Sequence, residues 1–114
     1  MLIIRKSQMD EFMKHEQKKF EDHMVFHLCQ NLSEKVEDIP EDILRNTIQK
    51  GISDSERYEI RFEDDVERYI DLMFILGKDF DTEEESSWAG EILRKEEMSA
   101  EERLDTIFDL MKRR

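Results

Sequence analysis

FEDDVERYIDLMFILG, Phe62 to Gly77, is the stretch whose reading decides the fold. Glu63, Asp64 and Asp65 stand together at its start, where acidic side chains interact well with the positive end of a helix dipole. Val66, Tyr69, Ile70, Met73, Phe74 and Leu76 follow at three- and four-residue steps, which gathers them into a wide apolar stripe on one helical face. Gly77 then supplies a C-terminal stop. The pattern predicts the most buried helix of the chain.

Beyond Gly77 the apolar pattern breaks across Asp79, Asp81, Glu83, Glu84 and Glu85 and resumes at Trp88, the single tryptophan. A further helix is expected from Ser86 or Ser87, with Trp88, Ala89, Ile92 and Leu93 on its inner face. Ser99 with Glu102 reads as a capping box that opens a last helix. Leu104, Ile107, Phe108 and Met111 are its core positions, and Lys112, Arg113 and Arg114 complement its negative end. On the other side of the opening stretch, Tyr58, Ile60 and Phe62 form a short extended link. Before it, Leu44, Ile48 and Ile52 step by four along a helix that starts near Pro40. Ile43 and Thr47 lie beside them, and the helix is expected to run through Gly51 to Tyr58, with the glycine allowing a close helix contact. The first helix is expected from Ser7, as N-cap, to Asn31, with Met9, Phe12, Met13, Phe20, Met24, His27 and Leu28 on one face. At 25 residues it would span about 37 Å, so one end of it would project. Leu2 to Ile4 lead into it. NLSEKVEDIP is a connector. The sum is a single all-α domain over residues 1–114, a compact bundle of about five helices with a long N-terminal helix.

Bulk properties agree. The chain has 114 residues, 42% of them charged and 38% hydrophobic, with three glycines and one proline. One domain is the length prior, and scarce turn residues favour helices. The formal net charge is −12, which disfavours contact with nucleic-acid phosphates or anionic lipid. Residues 51–114 carry 10 basic and 20 acidic side chains, against 8 and 10 in residues 1–50, so any electrostatic role belongs to the second half. Cys29 alone excludes an internal disulfide and fits a reducing compartment. MLIIRK is too short for a signal peptide, and no apolar run suits a membrane span, so a cytoplasmic protein is expected.

Chemistry leaves few traces. His23 and His27 are four apart, a spacing that presents two imidazoles on one helical face to a metal. The intervening Met24, Val25 and Phe26 are apolar, which favours ordinary packing instead. Read as a calcium loop, DFDTEEESSWAG has oxygen ligands at its first, third, fifth and ninth places. It fails at the sixth, Glu84 in place of glycine, and at the twelfth, Gly90 in place of glutamate. Pairs such as Asp79 with Asp81 or Glu63 with Asp65 arise by chance among 30 acids. No phosphate loop or nucleophile elbow occurs. The expectation is a protein without catalytic residues, metal or cofactor. Segment 54–85 holds 13 acids and four cations, and Phe80 and Trp88 border its acidic end. Those aromatics can pin the connector onto the core, or anchor a basic protein docked on Asp79, Phe80, Asp81, Glu83, Glu84, Glu85 and Trp88. Both can hold at once.

Two stretches carry a resemblance. Ile4, Arg5, Gln8, Met9 and Phe12, then Phe20, Met24, Val25, His27 and Leu28, match an I-R-x-x-Q-M/L-x-x-F opening and an F-x-x-x-M-V-x-H-L helix. Tyr69 to Met73, Gly77, Asp79 to Asp81 and Trp88 to Leu93 match a Y-I-D-L-M…G-x-D-F-D…W-A-x-E-I-L second half. Together these resemble a family of small bacterial helical proteins often encoded beside type VI secretion effectors or spike-tip components. The chain departs from that pattern at Lys50 to Ser53 and the following SERYEI, where the family has a more arginine-rich, glycine-ended turn. The resemblance implies an accessory role, as adaptor or chaperone of a secreted effector or spike component with a basic surface. Alternatives are an immunity protein that neutralises a toxin, a metal-binding helical protein using His23 and His27, and a self-assembling module paired through the first helix. The resemblance brings no catalytic residues.

Overall fold

The computed structural model describes residues 10–113, with side chains from residue 16 onward. The Ser7 cap, the Leu2 to Ile4 lead-in and the side chains of Met9, Phe12, Met13 and His15 lie outside the described residues. Among the described residues six α-helices follow one another: α1 (Asp10–Asn31), α2 (Ser33–Val36), α3 (Glu41–Arg57), α4 (Glu63–Leu76), α5 (Ser87–Leu93) and α6 (Ala100–Lys112). Among the described residues there is no β-strand, and no helix is long and apolar enough to cross a membrane. The chain is all-α.

Helix α4 is the hub. It packs against α1, α2, α3 and α6, and Val66, Tyr69, Ile70, Leu72 and Met73 are buried along it. Four faces of contact explain why its apolar stripe is wider than that of a surface helix. Its acidic first turn and the stop at Gly77, whose N–H reaches Met73 O, are as the sequence predicts. Each fully buried side chain of this kind contributes roughly 1.5–3 kcal/mol relative to exposure. Tyr69 is the exception within the stripe. Its hydroxyl is buried without a hydrogen-bond partner among the described residues, and burial drives its pKa far above the ordinary phenol range. A buried unmade hydrogen bond is a cost, so Tyr69→Phe is expected to leave the melting temperature unchanged or raise stability by up to about 1 kcal/mol. A loss on thermal denaturation would show that the hydroxyl has a stabilising partner after all.

Helix α3 runs through Gly51 without interruption. A Cβ there would lie 2.6 Å from Ile70 Cγ1 and 2.8 Å from Met73 Sδ, so the glycine lets α3 close directly on α4. Leu44, Ile48 and Ile52 face the core, whereas Ile43 is exposed. Pro40 stands at the N-cap rather than in the first turn, and no side chain caps the helix. At the other end Tyr58 and Glu59 turn the chain, Glu59 in the left-handed region with φ 60°, and Ile60 is buried. In α1, Phe20, Met24 and Leu28 are buried. The connector holds one element the sequence reading lacks, the single-turn α2, which buries only Val36. The α6 capping box forms as expected: Glu102 N–H donates to Ser99 Oγ at 3.1 Å, and Ser99 N–H donates to Glu102 Oε1 at 2.9 Å. Leu104 and Ile107 are fully buried, with Phe108 and Met111 at the edge of the core.

Candidate functional site

The connector between α4 and α5 is built from two tight turns followed by a 3-10 turn. Phe80 N–H donates to Gly77 O at 3.0 Å and Glu83 N–H to Asp79 O at 3.1 Å. The 3-10 turn covers Glu84–Ser86 and leads directly into α5. This path sorts the seven residues expected to form a docking surface into two sets. Phe80 is fully buried, its ring centroid 5.2 Å from that of Tyr69. Asp81 is 2% exposed. Neither can meet a partner on the folded surface, and the expectation that they line one is corrected by their inward packing.

A carboxylate buried to that degree needs partners, and Asp81 has them. Tyr58 Oη donates to Asp81 Oδ2 at 2.6 Å, and Arg57 Nη2 approaches the same oxygen at 3.4 Å. The Asp81 backbone carbonyl accepts from Arg94 Nη2 at 2.8 Å. Burial, reinforced by the Asp81 hydrogen bond, pushes the Tyr58 phenol up to about 12, so Tyr58 stays a donor. Ser86 Oγ closes the loop on Phe80 O at 2.6 Å. Asp79 lies further out and pairs with Lys50 at 3.1 Å, a lysine that also holds Asp54. These bonds fix the connector to the C-terminal half of α3. They are structural.

Glu83, Glu84, Glu85 and Trp88 remain on the outer side. The three glutamates are exposed and Trp88 is half-buried. Trp88 lines a groove of about 380 Å³ with Ile75, Leu76, Ser86 and Met111, and Glu85 sits on its rim. Aromatic and aliphatic walls edged by acid make a surface suited to an apolar side chain flanked by cations.

The histidine pair has a different use. His23 Nε2 donates to Glu67 Oε1 at 2.6 Å, and His27 Nε2 sits 3.0 Å from Asp71 Oδ1. His27 Nδ1 faces Asn31 Nδ2 at 3.2 Å. The i,i+4 spacing on α1 thus meets an i,i+4 pair of acids on α4, zipping the two helices together. Burial raises the Asp71 pKa, against the lowering effect of its His27 contact. Among the described residues no three His, Cys, Asp or Glu side chains are arranged to hold a metal ion. Cys29 is exposed.

A second concavity escapes any reading by segment. The α3–α4 link, the end of α5 and the start of α6 enclose a cleft of about 620 Å³ lined by Arg57, Arg61, Arg94 and Arg103. Its cations come from two stretches, each acidic on average, so summed charge hides them. The four-residue step from Arg57 to Arg61 is the one local hint. No protein-family model, no curated protein and no solved structure matches the chain.

Proposed function

We propose that the chain is a non-enzymatic protein-binding module, an accessory protein of adaptor or chaperone type for a secreted effector with a basic surface. The reading rests on one observation: the groove around Trp88 has largely apolar walls and the exposed Glu85 in its lining, with the exposed Glu83 and Glu84 just before it in the chain. A basic segment carrying one apolar residue complements it in charge and in shape. Charge complementarity speeds encounter and sets register, and the buried aromatic contact supplies most of the affinity. The family resemblance supports the same role, through its association with type VI secretion effectors and spike components.

The test is co-expression with the product of the adjacent gene. Reversing Glu83, Glu84 and Glu85 to lysine is expected to weaken the complex at least tenfold and to flatten its salt dependence. Trp88→Ala is expected to cost about 2 kcal/mol or more of binding, roughly a thirtyfold rise in Kd, with helical content unchanged by circular dichroism. A complex indifferent to the triple reversal would overturn the acidic-rim reading.

A further inference from the structure

We propose that the arginine-lined cleft is a binding site for a small phosphate-ester anion. In a chain with 30 acidic and 18 basic side chains, four of the seven described arginines pair with a carboxylate. Arg45 holds Asp22 and Glu41, Arg68 holds Asp105, and Arg113 holds Asp109. The cleft departs from that pattern. Arg57 is paired with Asp54 at 3.0 Å, but Arg61, Arg94 and Arg103 make no ion pair among the described residues. The Glu59 and Glu96 carboxylates line the same cleft and form no ion pair with any of the three.

Arg103 makes the strongest case. It is 7% exposed, and its hydrogen bonds go to two carbonyls, Leu93 O at 2.6 Å and Ser99 O at 3.3 Å. Those bonds position the guanidinium between the end of α5 and the start of α6. They leave its charge uncompensated and part of its five-donor fork unused. A buried cation without a counter-ion is costly. Two further guanidinium groups without an ion pair, Arg61 and Arg94, line the same cleft, and an anion there would relieve their mutual repulsion. Arginine forks suit tetrahedral oxyanions through paired N–H donors, and Ser99 and Ala100 at the start of α6 line the same cleft.

Size and charge select the ligand class. A cleft of about 620 Å³ falls among small-ligand sites, which run about 300–1,000 Å³, and Leu93 and Met98 give it an apolar wall. The net charge of −12 repels an extended polyanion, whereas a small anion inside the cleft meets a local cationic field.

The experiment titrates full-length ¹⁵N-labelled protein with inorganic phosphate and with pyrophosphate at constant ionic strength, using chloride and acetate as controls. Saturable amide shifts are expected at Arg61, Ser99, Ala100 and Arg103, with pyrophosphate the tighter ligand. Arg61→Gln, at an exposed position without an ion pair, is expected to keep the spectrum of the folded protein and weaken phosphate binding at least fivefold. Arg61→Gln combined with Arg94→Gln is expected to weaken it further. Non-saturating shifts, equal shifts with chloride or acetate, or unchanged affinity in Arg61→Gln would each overturn the assignment.

Discussion

Phe80→Ala is expected to destabilise the protein by about 3–5 kcal/mol, lowering its melting temperature by roughly 12–20 °C for a chain of this size. The ring is fully buried and tilted against Tyr69, which is itself fully buried on the central helix. Truncation removes the transfer free energy of the ring and leaves a cavity that the neighbourhood cannot close. Tyr69 is fixed in α4, and the Phe80 carbonyl is tied to Ser86 Oγ. The damage should extend to the rest of the connector, because Asp81 follows directly and depends on the same backbone path to reach Tyr58. An anchor residue on a docking surface would behave in the opposite way, with stability intact and partner affinity reduced. Thermal denaturation of the isolated protein separates the two. A melting temperature within about 3 °C of the parent would mean that the ring contributes little to the core.

The contrast between Phe80 and its neighbours shows which parts of the structure are legible in the sequence. Periodicity exposes α4 because each turn of that helix repeats the same demand, an apolar side chain toward the centre. The α6 cap is legible for a related reason: Ser99 and Glu102 satisfy one another's backbone within a single turn, so the signal is local. Helix α2 has four residues, too few to display any period, and reads as connector. Asp81 is the instructive failure. A carboxylate in a run of acids reads as solvated, and what makes it buried is a phenol 23 residues earlier and an arginine 24 residues earlier. Neither leaves a mark at position 81. The arginine cleft is hidden in the same way, since counting charge by segment averages away cations that meet only after folding. Local regularities transmit fold class, while side-chain constellations assembled from distant segments do not appear until the packing is known.

Gly90→Ala is the second change with a large expected effect, and here helix propensity and packing point in opposite directions. Position 90 lies within α5, where exchanging glycine for alanine should gain about 1 kcal/mol on propensity alone. A Cβ at that position, however, would stand 2.4 Å from the Asp81 carbonyl oxygen and 3.0 Å from Arg94 Nη1. The first neighbour is backbone, and it cannot yield freely. Its oxygen accepts from Arg94, and the side chain of the same residue is held by Tyr58 Oη at 2.6 Å. To admit a methyl group, α5 must lift from the connector, or the connector must loosen the bonds that bury Asp81. Overpacking of this kind costs about 1–3 kcal/mol, and the valine variant should cost more. The net expectation is therefore destabilisation by alanine and stronger destabilisation by valine, read as successive drops in melting temperature. Since α5 also carries Trp88, the valine variant should also displace the groove and weaken the partner binding proposed for it, without touching any residue that lines it. A valine variant as stable as the parent would mean that α5 approaches the connector less closely than these distances require.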